Sequence, residues 1–163
     1  LLKLGAGSAV VLLLAGGAVS MVQPGLVQGK LSEDARRVFA SVGQAILADS
    51  LPQDPGARQI ALNGLLERVD GVTLMLPPHA QAELSQLLAL LGTAAGRRTL
   101  AGLEQDWTTA PLAQVQAALQ AMRLSGISLR QQAYQALHDI VGGAYFADAS
   151  SWAVLGYPGP TVI

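Results

Sequence analysis

Apolar residues recur at three- and four-residue steps through most of this chain, the period of a helix with one buried face. Val38, Phe39, Val42 and Ile46 mark the first such stripe, over residues 30–50. Ser32 is its expected N-cap, with Glu33 and Asp34 in the first turn, where the helix dipole favours acids. LPQDPG at 51–56 reads as a turn, with Asp54 as a cap and Pro55 at the first position of the next helix. That second helix runs to about residue 76 with Ile60, Leu65, Leu66, Val69 and Val72 inward, and Asp70-Gly71 is a place for it to bend or end. Pro77-Pro78 stop it and begin a third, striped by Leu84, Leu87, Leu88 and Leu91 and closed at Gly92. A shorter helix is expected around 93–104. Another follows over 111–124, with Leu112, Val115, Leu119 and Met122 on one side and Gln114, Gln116 and Gln120 on its polar face. Gly126 breaks it and Ser128 caps the last helix. The period there continues through Leu129, Ala133, Tyr134, Leu137, Ile140, Val141 and Ala144 to about Phe146. No alternating run is long enough for a sheet, and no internal repeat is visible. The pattern predicts an all-α fold, an irregular bundle of five to six helices joined by short turns.

Residues 4–22 do not share this pattern. They form a run of 19 uncharged, mostly apolar residues behind Lys3 and ahead of Gln23-Pro24. As a helix the run is roughly 28 Å long, close to a bilayer core. Gly5, Gly7, Gly16 and Gly17 dilute its hydrophobicity, which suits an export signal as well as an anchor. Ala18-Val19-Ser20 offers a small-residue cleavage site. The chain opens on Leu1 rather than Met, so upstream residues are expected. LLKLGAGSAVVLLL resembles the second half of a twin-arginine export signal, whose arginines would lie upstream. The reading is a retained signal over residues 1–29, acting as one N-terminal transmembrane helix. A buried apolar hairpin of the domain's own core is the competing reading. Gly5-x-Gly7 lacks the third glycine and the preceding strand of a dinucleotide-binding turn.

Composition sharpens the picture. Hydrophobic residues make up 51%, charged residues only 13% and aromatics 4% of the 163 positions, against about a quarter charged in an ordinary soluble domain. So little charge points to surface covered by lipid or by another protein. A net charge of −1, with the arginine pairs 36–37 and 97–98 isolated, leaves no footprint for nucleic acid. The absence of cysteine excludes disulfides, thiolate metal sites, c-type haem attachment to this chain and cysteine nucleophiles.

Candidate chemistry is sparse. His79 and His138 each lack a second histidine or a carboxylate at ligand spacing, and Asp139 beside His138 is expected to point elsewhere. Glu67 and Asp70 lie one turn apart and read as solvated carboxylates, as do Glu104 and Asp106 ahead of Trp107. No nucleophile elbow is present. The expectation is no catalytic, cofactor-binding or metal residue in this chain, and a role as a subunit rather than as an enzyme. An enzyme using Glu67, Asp70 or His138 is the weakest of the alternatives.

The C-terminal end is different in kind. Four of the seven aromatics fall within 145–157, ahead of a run that is neither helix nor regular strand, SSWAVLGYPGPTVI. Rigid aromatic anchors with Pro158 and Pro160 suit a protein interface. Equally, Trp152 and Tyr157 can fold back to close this domain's own core. A helix leading into Tyr145-Phe146, then Trp152, then Gly156-Tyr157-Pro158-Gly159 resembles the gluconate 2-dehydrogenase subunit 3 family. Those are small subunits of membrane-associated flavin dehydrogenases that oxidise sugars and other alcohols. ADASS fills a shorter gap before the Trp than the glycine-rich stretch usual in the family, which suggests a diverged branch.

The resemblance implies a subunit without a cofactor of its own. FAD would sit in a large dehydrogenase subunit and haem c in a possible cytochrome c subunit. The seven motif residues would be the partner-binding ones. The expected organisation is an anchor at 1–29, a helical domain at 30–149 and an extended tail at 150–163. Its expected place is the periplasmic side of a bacterial inner membrane. A free-standing, membrane-tethered helical scaffold with no enzymatic partner is the alternative.

Overall fold

A computed structural model describes residues 23–149 and 151. The expected anchor at 4–22, and Trp152, Gly156, Tyr157, Pro158 and Gly159 of the tail, lie outside the described residues. Within them the chain is all-α apart from one small ribbon. Helix α1 spans Glu33–Ile46, α2 Pro55–Met75, α3 Pro78–Gly92, α4 Ala94–Gly96, α5 Leu112–Arg123 and α6 Ser128–Phe146. A π-helical turn, Arg97–Ala101, continues α4.

Local chemistry starts the first two helices where expected. The Ser32 hydroxyl accepts from the Ala35 amide at 3.3 Å, and the Asp54 carboxylate accepts from the Ala57 amide at 2.8 Å, with Pro55 in the first turn. Each satisfies a backbone donor that the helix itself cannot. Helix α1 runs through the middle of the bundle and packs on α2, α3, α5 and α6. Its Val38, Phe39 and Val42 are wholly buried. Gly43 admits α2 closely, since a Cβ there would lie 2.7 Å from the Leu65 side chain. Leu65, Leu88, Met122 and Leu137 complete the centre of the core from four other helices. Each such side chain contributes about 1.5–3 kcal/mol by leaving water.

A sheet was not expected, yet the chain enters the bundle as an antiparallel ribbon of β1 (Leu26–Val27) and β2 (Lys30–Leu31). Leu26 faces Leu31 and Val27 faces Lys30 across the two-residue turn Gln28-Gly29. Both turn residues have positive φ, 52° and 79°, which matches the right-handed twist of the strands. The ribbon docks on α3 through the Gly25 amide on the Ser85 carbonyl (3.2 Å) and the Leu26 amide on the Ser85 hydroxyl (3.0 Å). It docks on α2 through Thr73, whose hydroxyl donates to the Gly29 carbonyl at 2.7 Å.

Three further expectations are corrected. Helix α2 continues unbroken through Asp70-Gly71. Its Ile60 faces outward at 74% exposure, because the buried stripe passes through Leu62, Leu65, Leu66, Val69 and Thr73 instead. Ser128 is the first residue of α6 and makes no capping bond. The hydroxyl of Ser125 serves there, accepting from the Ile127 amide at 3.1 Å.

Candidate partner-binding surface

The end of α6 holds the described part of the expected partner-binding residues. Tyr145 is half-buried against the core, and Phe146 beside it is 47% exposed. Their rings meet edge to face, with centroids 5.4 Å apart, a favoured arrangement for aromatic quadrupoles. Gly142-Gly143 lie inside the helix. Arg68 on α2 fixes this terminus. Its Nε donates to the Ala144 carbonyl at 2.9 Å, and its Nη1 pairs with Asp148 at 3.2 Å. A short turn follows, in which the amide and hydroxyl of Ser151 both donate to the Asp148 carbonyl (3.0 and 2.6 Å).

Beside that turn lies a cleft of about 310 Å³. Leu47, Leu51, Ile60, Leu65, Tyr145 and Ser151 are among the residues that line it. A larger cleft, about 490 Å³, opens between α1, α2 and the loop holding Trp107. Two cations on its wall are already engaged: Arg36 with Asp70, and Arg37 with Glu33 and Asp34 at 3.0 Å each.

The carboxylates and histidines considered for chemistry fall into structural positions. Glu67 is exposed, but Asp70 is not its solvated neighbour. Asp70 is 8% exposed, accepts the Leu31 amide at 2.8 Å and pairs with Arg36. It therefore clamps the ribbon to α2, and a carboxylate committed to two partners is poorly placed to act as a base. Asp106 is held below the ordinary aspartate range, first by the Thr108 amide and then by the Thr108 hydroxyl (3.1 and 2.8 Å), with Arg97 adding to this. Arg97 is buried. It pairs with Asp106 at 3.2 Å, and its Nε has no partner. Glu104 pairs with Arg98 on the surface at 3.0 Å.

His79 is exposed at the start of α3. His138 differs from expectation in one respect, because Asp139 turns toward it and places a carboxylate oxygen 3.4 Å from Nδ1. The Tyr134 ring lies 5.5 Å away on the same face. No third ligating group joins them, and no cluster of three histidines or carboxylates occurs among the described residues. None of the described helices is long and apolar enough to cross a membrane.

The sequence reading missed Arg68, which organises this end of the molecule. A lone arginine on a helix carries no pattern, and only the fold brings it to residues 76 positions away. Set against known proteins, the chain matches no family model, no curated protein and no solved structure.

Proposed function

We propose that this chain is the non-catalytic small subunit of a membrane-bound, periplasmic, flavin-dependent dehydrogenase complex. Its tasks in this reading are to support folding, co-export and anchoring of an FAD-containing large subunit, with a cytochrome c subunit as a possible third member. One observation carries the reading. The residues that bear the resemblance begin on the Tyr145–Phe146 pair, where α6 ends at a surface fastened by Arg68. Trp152 and Gly156-Tyr157-Pro158-Gly159 follow directly in sequence. The roles of Asp70, Arg97 and Asp106 in holding ribbon and loops are consistent with a supporting subunit. The run at 4–22 supplies the anchor in this reading.

The test is co-purification. Tagged full chain expressed in its native host should bring down a yellow, flavin-containing protein, and deletion of residues 150–163 should release it. A flavoprotein retained equally well by the truncated chain would overturn the assignment of the tail. A monodisperse chain that never carries a flavoprotein would favour the scaffold alternative.

A further inference from the structure

The corner where the chain enters the bundle is apolar on its outer side. Val27 in β1 is 53% exposed, and Leu74 and Met75 at the end of α2 are 47% and 79% exposed. The fold brings them together from distant parts of the sequence. The Thr73 hydroxyl donates to the Gly29 carbonyl at 2.7 Å, and a Cβ on Gly29 would fall 2.9 Å from the Leu74 side chain. The turn of the ribbon therefore sits against the last turn of α2. On the ribbon, Leu31 is buried and Leu26 packs on the core, while Val27 and Lys30, paired across the strands, are exposed. Alternation along a strand turns 27 and 30 to the face opposite 26 and 31. Gln81 of α3 closes the corner by donating to the Leu76 carbonyl at 3.0 Å.

The same corner is nearly free of charge. Residues 23–31, QPGLVQGKL, carry one charge, that of Lys30. Residues 71–82, GVTLMLPPHAQA, carry no carboxylate, lysine or arginine, and His79 is their one titratable side chain. Asp70, which accepts from the Leu31 amide, is buried and paired with Arg36. Exposed apolar side chains without carboxylates around them suit the interfacial zone of a bilayer. A lysine among them can lay its stem along the apolar surface and keep its ammonium at the lipid phosphates.

Connectivity selects the bilayer over other covers. The described chain begins at Gln23, immediately after the uncharged, mostly apolar run 4–22. The Gly25 amide is already fastened to the Ser85 carbonyl of α3 at 3.2 Å. Gly25 is three residues beyond the run and Val27 five, at most roughly 11 and 18 Å of extended chain. The headgroup layer is itself about 5–8 Å deep on each side of the hydrocarbon. With the run as anchor, this apolar corner is the part of the bundle on the shortest tether to lipid.

We propose that Val27, Lys30, Leu74 and Met75 form a lipid-contacting surface that rests in the headgroup layer of the bilayer. Val27, Leu74 and Met75 meet the acyl boundary there, and Lys30 meets the lipid phosphates. Anchor and corner together then hold the bundle in one orientation instead of letting it swing on its tether. This deepens the anchoring part of the proposed function and rests on it, but it needs no flavoprotein.

The experiment uses the full chain, without a partner, reconstituted into vesicles of phosphatidylcholine and phosphatidylglycerol. Because the chain has no cysteine, Val27→Cys and Met75→Cys each carry a single bimane fluorophore. Gln120→Cys is the control, an exposed position on α5, a helix outside those on which the ribbon mainly packs. Flotation first reports whether the chain is held by the vesicles. Lipids bearing a nitroxide near the headgroup and iodide in the water then serve as opposed quenchers. Labels at 27 and 75 should be quenched by the lipid nitroxide and protected from iodide, and the label at 120 should show the reverse. Met75→Glu alters an already exposed position. It should lower the docked-to-undocked ratio read at position 27 by about tenfold and leave flotation unchanged.

Labels at 27 and 75 that meet iodide as readily as the label at 120, on chains that float, overturn the proposal and leave the anchor standing. Chains that do not float overturn the anchor and the proposal together. A signal at 27 unmoved by Met75→Glu also overturns the proposal. Protection from iodide without quenching by the lipid nitroxide overturns it in favour of a protein cover, which is a second copy where protection falls as the chain is diluted in lipid. Contact that appears only when a flavoprotein is added overturns it in favour of the partner.

Discussion

Arg68 and Ala144 are joined across 76 residues of sequence: the guanidinium Nε of the former donates to the backbone carbonyl of the latter at 2.9 Å. Ala144 lies in the last turn of α6, where carbonyls lack intrahelical donors. The same side chain reaches Asp148 just beyond the helix. One arginine thus closes the helix and sets the direction in which the chain leaves it. Removing it in Arg68→Met keeps most of the apolar stem and loses both polar contacts. About 1–2 kcal/mol of stability should be lost, read as a lower urea midpoint at unchanged slope. Amide exchange should speed up over 143–148 more than in α1. Arg68→Lys should recover little, since one ammonium cannot serve two acceptors in the planar geometry of a guanidinium. A Lys variant as stable as the parent would show that charge alone suffices.

Asp70 supplies the second prediction. Its two oxygens serve different partners, the Leu31 amide and the Arg36 guanidinium. Asp70→Ala leaves the Leu31 donor buried without an acceptor and Arg36 without its carboxylate. The expected cost is about 2–3 kcal/mol, below the range for a fully buried pair because Arg36 is partly exposed. The Leu31 amide should lose its exchange protection first, while Phe39 and Val42 in the core keep theirs. If all of them lose protection together, the ribbon is not a separately docked unit.

The turn of the ribbon yields a stabilising prediction. Gln28 occupies a left-handed conformation (φ 52°) ahead of Gly29, which costs a residue with an ordinary side chain about 1–2 kcal/mol. Asparagine tolerates that region better, and Asn-Gly is the favoured pair for such a turn. Gln28→Asn should therefore raise stability by about 0.5 kcal/mol, measurable as a higher thermal midpoint. By contrast Gly25→Ala should destabilise by about 1–3 kcal/mol. A Cβ there would fall 2.5 Å from both the Leu88 side chain and the Ser85 carbonyl, in a backbone contact that cannot yield locally.

How far the sequence speaks for itself depends on whether the signal is local. Ser32, Asp54-Pro55, Pro78 and Gly92 mark helix limits through bonds or steric effects within one turn, and the structure places those limits where the residues do. The ribbon was invisible because two-residue strands carry no period, and Gln28 takes its positive φ in a tight two-residue turn that Gln-Gly does not announce. Asp70 looked like a surface acid because its partners, at 31 and 36, are remote in sequence. Ile60 fitted the helical stripe of α2 but lies beyond the end of the buried seam, on the cleft wall. The π turn at Arg97–Ala101 was equally illegible. It is held by contacts from other elements, including Arg130 Nε on the Leu100 carbonyl at 2.8 Å. Tyr145 and Phe146 were picked out as a site from neighbouring aromatics, whereas the arginine that orients them had no local mark.

The acid response of the loop before α5 follows from Asp106. Its carboxylate is held below the ordinary aspartate value of 3.8, first by the Thr108 amide, then by the Thr108 hydroxyl, with Arg97 assisting. A depressed value in the folded state means that the ionised form favours folding. The contribution is complete above the unfolded-state value and is lost as pH falls through the lower folded-state value. Asp106→Asn keeps an oxygen for Thr108 but removes the charge facing buried Arg97. Asp106 is about half exposed, so solvent screening keeps the difference small, about 1 kcal/mol near neutral pH. The gap between parent and variant should stay constant from pH 7 to about 5 and close below about 4. Urea midpoints measured across that range decide the matter. A gap that persists undiminished at the acid end would mean that shape rather than charge holds this loop, and that Arg97 is satisfied by the Glu104 carbonyl instead of by Asp106.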